Sequence, residues 1–217
     1  MAASTRDLLV DWFGVEEIEG DVRLAPSYNV APTDDVYTVA TVAPGGRRLL
    51  RVMGWGLVAG EGATPLINAR AETLAERPVF RDAFEQRRCL IPADGFFEWE
   101  TIPGGAKQPF MFSPPDGHPL GIAGIYGRRG TCAIVTSAAR PPVDRLHDRM
   151  PVVVGPDRWD VWLDPAADMD ELQSLLVPPS DAGLVARRVS TRVNDVRNND
   201  ERLLEDAPPP PEPLALF

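Results

Sequence analysis

The sequence predicts an α+β fold: one domain with a β-rich core of mostly antiparallel strands and short helices at its periphery. Three observations carry this reading. Apolar runs of strand length, alternating or continuous, recur between Val36 and Val154 and are separated by turns rich in Gly and Pro. Helical spacing of apolar residues is confined to short stretches, several of them near the two ends. Finally, 217 residues suffice for one substantial core, and no internal repeat or linker divides them.

In chain order, Leu8, Leu9, Trp12 and Phe13 have helical spacing over residues 4–13, with Ser4 or Thr5 as N-cap and Gly14 as stop. Val36–Val42 and Arg48–Leu57 read as strands joined by a turn at Pro44-Gly45-Gly46. A short helix is expected after Ala69 and another from Pro78 to Gln86, around Phe80 and Phe84. Strands follow at about 88–100, 108–113, 119–126, 131–137 and 150–154. Asp157, preceded by Pro156, opens a helix through Trp159 and Trp162. A further helix is expected at Met169–Leu176 and a strand at Leu184–Val189. The domain is placed at 1–206. Residues 207–217 hold five prolines and are expected to be disordered, or to present Leu214, Leu216 and Phe217 as a docking peptide.

Composition narrows the function. Hydrophobic residues make up 44%, no apolar run reaches the roughly 18–20 residues that span a bilayer, and no secretory leader is evident. A cytoplasmic, soluble protein without membrane contact is expected. Cys89 and Cys132 lie in apolar, strand-like settings and are read as buried and inert. With only His118 and His147 beside them, neither a metal site nor a cofactor is expected. The net charge of −10 opposes indiscriminate nucleic-acid binding. It is uneven, however: residues 1–35 carry 2 basic and 8 acidic side chains, residues 157–217 carry 6 and 13, and residues 36–156 carry 14 and 11. The middle is therefore mildly basic. Lys107 is the sole lysine, and arginine suits bidentate phosphate contacts.

The most informative stretch is Cys89-Leu90-Ile91-Pro92-Ala93-Asp94-Gly95-Phe96-Phe97-Glu98-Trp99, a buried strand broken by an Asp-Gly turn. A carboxylate among Phe97 and Trp99 is poorly solvated, which raises its pKa and suits acid–base work. The other reading is a surface Glu on an alternating strand.

Four further segments accompany it in order: Tyr28-Asn29-Val30-Ala31-Pro32-Thr33, Trp55-Gly56-Leu57, Asn68-Ala69-Arg70-Ala71-Glu72-Thr73 and Leu146-His147-Asp148-Arg149-Met150-Pro151. Val189-Ser190-Thr191 and Val193 to Asn198 close the series. Together they resemble the SRAP family, the SOS-response-associated peptidase domain that shields abasic sites in single-stranded DNA. The likeness runs from about Ser4 to Asp206. The chain departs from the family at its start, where Met1-Ala2-Ala3-Ser4 stands in place of Met-Cys-Gly-Arg. Either the true start lies upstream, which the intact remaining site residues favour, or the protein lacks the nucleophilic cysteine. The family's arginine near the N-terminus has no match either.

The resemblance implies a function. The family's N-terminal cysteine, exposed by autoproteolytic loss of the initiator methionine, captures the aldehyde of an abasic site through its α-amine and closes a thiazolidine with its thiol. Adjacent amine and thiol trap an aldehyde at high effective concentration. By carry-over, Glu98 and His147 are the catalytic proton shuttles. Taken alone, His147 reads equally as a core or surface histidine. Asn68 and Arg70, two apart on an extended segment, point to the same side and are candidates to grip phosphate or sugar. Otherwise Asn68 is a helix cap and Arg70 a surface charge. Arg149 is a further phosphate candidate. Trp55 is a base-stacking platform or a core tryptophan, and Asn29 and Pro32 shape the pocket floor on the DNA side. The implied partner is single-stranded DNA containing abasic sites, bound by a monomer that joins the nucleoid during repair. Without the cysteine, a non-covalent single-stranded DNA binder remains. A peptidase acting on other chains is disfavoured, because neither a Ser/His/Asp set nor a His-Glu-x-x-His motif is present.

Overall fold

The computed structural model describes residues 1–21, 23–102 and 104–207; the tail expected to be disordered lies outside these residues from Pro208 onward. Helix α1 spans Arg6–Phe13. Thr5 Oγ1 accepts from Leu8 N, and Gly14 ends the helix at φ 60°, a backbone conformation that costs glycine little. Strands β1 (Glu17–Ile18), β2 (Asp35–Ala40), β3 (Leu49–Trp55) and β4 (Asn68–Arg70) precede helix α2 (Pro78–Gln86), which starts on Pro78 as the sequence predicts. Then come β5 (Arg88–Ala93), β6 (Phe96–Thr101), β7 (Lys107–Ser113), β8 (Leu120–Tyr126), β9 (Thr131–Ala138) and β10 (Arg149–Pro151). Helices α3 (Trp159–Leu163) and α4 (Met169–Leu175) and strand β11 (Val185–Arg188) complete the chain.

The larger sheet runs β1-β3-β2-β5-β8-β9-β10, with β4 beside β9. Its neighbours are mostly antiparallel, as expected for this α+β fold. β3 also pairs with β9, Gly54 opposite Thr131 and Trp55 opposite Cys132. That contact closes β3, β2, β5, β8 and β9 into a ring. Strand alternation then divides the side chains between two faces. Tyr37, Val39, Leu50, Leu90, Ile125 and Val135 face outward against Phe13, Phe84, Trp162 and Leu172 of the helices. Val36, Met53, Cys89, Ile91, Ile122, Tyr126 and Cys132 fill the other core. Trp162 is fully buried and its Nε1 donates to Cys89 O. Replacing it by Ala would remove about 3–5 kcal/mol.

The expected strand at 88–100 divides between two sheets. β5 belongs to the ring, whereas β6 joins a second sheet of order β11-β7-β6. The Asp94-Gly95 turn makes the switch. A Cβ on Gly95 would lie 2.5 Å from Phe112 O and 2.8 Å from Met111 Cε, so only glycine lets the turn sit against β7. β10 ends at Pro151, earlier than expected, because Val152 N turns to Val135 O and Val154 N to Gly121 O. The two-residue β1 is too short to give a sequence signal. Among the described residues, no helix is long and apolar enough to cross a membrane.

Candidate functional site

The redirected hairpin places Glu98 at a cavity of about 410 Å³ between the ring and the smaller sheet. Val36, Ile91, Ile122, Ile134 and Met150 supply apolar wall from the ring side. Into this apolar setting come Glu98 from β6, His147 from the β9–β10 loop, Asn68 from β4, Arg149 from β10, and Trp55 from β3. Asn29 and Pro32 line the same cavity. Seven of the eight candidates are thus brought together from distant parts of the chain. Arg70 is the exception: it is exposed on the same edge of β4 as Asn68, beyond the cavity lining.

Burial is the main cause that lifts Glu98 above the ordinary 4.5 of a glutamate; His147 opposes the rise and Asp148 adds to it. His147 Nδ1 lies 2.9 Å from both the amide nitrogen and the carbonyl oxygen of Arg149. A bare Nδ1 accepts from the amide, and a protonated Nδ1 donates to the carbonyl instead. Either charge state therefore keeps the ring in place.

Arg149 is held by Glu72 and by the backbone. Its Nη1 and Nη2 reach Glu72 Oε1 and Oε2 at 2.6 and 2.9 Å, and Nη2 also donates to Thr136 O. Trp55 Nε1 donates to Ile67 O at 2.9 Å, which fixes the indole at the cavity edge. The Asn29 amide nitrogen is spent on the closing segment, donating to Val193 O, Asp195 O and Asn198 O. Its contribution to the cavity is thus to fix a wall. Beside Pro32, Thr33 adopts φ 80° and donates its amide to Trp55 O.

Met1 and Ala2 also line the cavity, with Met1 N donating to Gly95 O at 3.0 Å. Trp99, expected to wall in the Glu98 carboxylate, stands at the rim, and Val196 was missed. Both are exposed at the cavity, with Trp99 Nε1 donating to Asn194 Oδ1 at 2.7 Å. An aromatic next to a candidate acid was a usable signal for Trp99; Val196 offered none. Burial raises the Cys89 thiol well above its ordinary range and pushes the Cys132 thiol up to about 12, so neither ionises near neutral pH. Among the described residues, no group of three or more His, Cys, Asp or Glu side chains is placed to hold a metal ion.

Comparison with known proteins finds relatives of this chain. A family model described as SOS response associated peptidase (SRAP) matches residues 1–196. The abasic site processing protein YoqW of Bacillus subtilis is 33% identical over 213 residues, covering 92% of this chain and 94% of YoqW. YedK of Escherichia coli, of the same description, is 36% identical over 160 residues, or 68% and 71% of the two chains. The abasic site processing protein HMCES of Gallus gallus is 28% identical over 225 residues, covering 84% and 66%. A crystal structure of a Bacteroides thetaiotaomicron protein shares the fold, with a TM-score of 0.79 at 23% identity and coverage of 94% and 97%.

Proposed function

Because the chain belongs to the SOS response associated peptidase (SRAP) family, we propose that it processes abasic sites, binding single-stranded DNA and linking covalently to the open-chain aldehyde of the lesion. The observation that carries this reading is the gathering of Glu98 and His147 at one cavity with Asn68, Trp55 and Arg149. The lone pair of an N-terminal amine, the group that reacts in the family, adds to the aldehyde carbon while its proton passes to the carbonyl oxygen. That oxygen then leaves as water, and a C=N bond remains. Glu98, whose pKa burial raises, supplies the proton for the departing water. His147 exchanges protons at Nε2 and assists opening of the sugar ring.

The remaining candidates position DNA. Asn68 and Arg70 on one edge of β4 hold the flanking phosphate or sugar, Arg149 adds a cation, and Trp55 offers a base a stacking face. Asn29 and Pro32 form the floor. One copy of the chain suffices for this geometry, and the work belongs in the cytoplasm, at the nucleoid. With an N-terminal cysteine, as in the family's opening, the thiol would add to the imine carbon and its proton would pass to nitrogen, closing the thiazolidine.

The burial of both thiols favours a second reading, a non-covalent single-stranded DNA binder, because Cys89 and Cys132 cannot complete such a ring. One experiment separates the two. The protein is mixed with a single-stranded oligonucleotide carrying one abasic site, with and without cyanoborohydride, and resolved on a denaturing gel. A retarded band that requires the abasic site supports covalent capture. Salt-sensitive binding with no such band under reduction supports the second reading.

A further inference from the structure

The ring of strands has a second mouth. The Glu98 cavity takes residues from one end of β3, β5, β8 and β9: Trp55, Ala93, Ile122 and Thr136. The other end opens on a separate cavity of about 300 Å³. Arg51 and Met53 of β3, Tyr126 at the end of β8, Arg87 just before β5, Arg128 of the β8–β9 turn and Glu19 line it. Arg51 lies over the buried Tyr126 ring, 5.7 Å from its centre. Its Nε and Nη2 donate to the two carboxylate oxygens of Glu19 at 2.8 and 2.7 Å. Arg87 donates from Nε to Tyr126 O at 3.1 Å and from Nη2 to Asp82 of α2 at 2.7 Å. The ion pairs at this mouth are thus Arg51 with Glu19 and Arg87 with Asp82. Arg128 and its neighbour Arg129, both exposed, take part in none among the described residues.

Three guanidiniums line this cavity and a fourth stands on the same turn, in a chain whose net charge is −10. Two carboxylates offset them only in part, and like charges held together repel. The excess is two positive charges, which a phosphate monoester matches in opposite sign above its second pKa of about 6. From this juxtaposition we propose that the far mouth of the ring binds a phosphate monoester, held between Arg51, Arg87 and Arg128. The guanidinium fork matches phosphate oxygens in two-point contact. Two of the forks are set in advance, Arg51 on the Tyr126 ring and Arg87 on the Tyr126 carbonyl, so little side-chain freedom is lost on binding. Glu19 stands in for the ligand: its two oxygens fill the Arg51 fork as a phosphate would, and it is half exposed, free to turn outward. No residue is shared between this cavity and the one that holds Glu98, so the inference does not rest on the covalent reading.

The test titrates four probes into the full chain by calorimetry: inorganic phosphate, a deoxynucleoside 5′-monophosphate, and one single-stranded oligonucleotide with and without a 5′-phosphate. The phosphorylated probes should bind at this mouth, and Arg128→Ala should weaken them by about tenfold or more, because a charge-assisted contact is lost. Arg128 is exposed, so this variant keeps the fold. Glu19→Gln should tighten binding by a few-fold, since it removes the charge that competes for Arg51. Arg149→Ala, at the other cavity, should leave the affinity for phosphate unchanged. A preference for the 5′-phosphorylated oligonucleotide over the mononucleotide assigns the site to a nucleic-acid end, and the reverse preference assigns it to a free nucleotide; either supports the proposal. Added phosphate should also raise the thermal unfolding midpoint of the wild type more than that of Arg128→Ala. No saturable binding of any phosphorylated probe, equal affinity in the wild type and Arg128→Ala, or a loss in Arg149→Ala in place of Arg128→Ala would overturn it.

Discussion

Arg149 and Glu72 face each other across the cavity edge in a two-point ion pair, 2.6 and 2.9 Å at its two contacts. The pair joins β10 to the turn after β4, next to His147 in the β9–β10 loop and Asn68 on β4. It pulls Glu72 below the ordinary carboxyl range, chiefly through the hydrogen bonds from Arg149. Glu72 therefore occupies the fork that a DNA phosphate would use.

Glu72→Gln should release that fork. If Arg149 then meets a phosphate, the slope of log K against log salt for single-stranded DNA steepens by roughly 0.7. The stability cost should stay below about 1 kcal/mol, because the carboxylate is half exposed. An unchanged salt slope would leave Arg149 a structural tie between β10 and β9.

Arg88 is 2% exposed and forms no ion pair within 4 Å among the described residues. Its guanidinium donates to Trp162 O, Phe84 O, Glu85 O and Asp164 O, so one side chain satisfies carbonyls near the ends of α2 and α3. Burial lowers it to about 10, which keeps it charged at pH 7. Arg88→Met fills much of the volume but strands four carbonyls. It should lower unfolding free energy by about 3 kcal/mol or more, read as a shifted denaturation midpoint at constant m.

Arg88 also shows where the sequence stops being legible. Its place at the start of the strand expected at 88–100 carries no hint that two helix ends converge on it. Legible features were those whose cause is local. The α1 cap and stop, Pro78 at the start of α2, and the strands β2, β3, β8 and β9 all appear where they were expected. At the site, Glu98, His147, Asn68 and Trp55 were named from ordered motifs, and folding gathers them at one cavity. What failed to show were relations fixed only by three-dimensional proximity: closure of the ring by Gly54 and Trp55 against β9, Met1 in the cavity, and Glu72 claiming Arg149. The Asp94-Gly95 turn was visible as a turn. Its sheet-switching role depends on Phe112, which lies on another strand.

Thr33 holds a left-handed backbone at φ 80° without being glycine, directly after Pro32 at the cavity floor. Such a conformation costs a β-branched residue about 1–3 kcal/mol. Thr33→Gly should recover part of this, raising stability by about 1 kcal/mol in urea denaturation. The loop that carries Pro32 should loosen as well, weakening DNA affinity by a few-fold. A variant that is no more stable than the wild type would show that the Thr33 side chain offsets its own strain.

Glu98 sets an upper limit on the pH at which capture can run. It must be protonated to donate, so the rate of adduct formation should fall as pH passes its raised value. Glu98→Gln keeps the shape but cannot give up or take a proton. It should slow capture by about a hundredfold or more and lose that fall, measured as adduct rate against pH under cyanoborohydride. Stability should move the other way. The folded state raises the pKa of Glu98 above its unfolded value, so the associated stabilisation is complete below that unfolded value and is lost as pH rises through the folded one. Glutamine has no charge to desolvate, so the stability of Glu98→Gln relative to the wild type should grow with pH. A variant that loses stability at every pH, or that crosslinks at the wild-type rate, would return Glu98 to an ordinary strand residue.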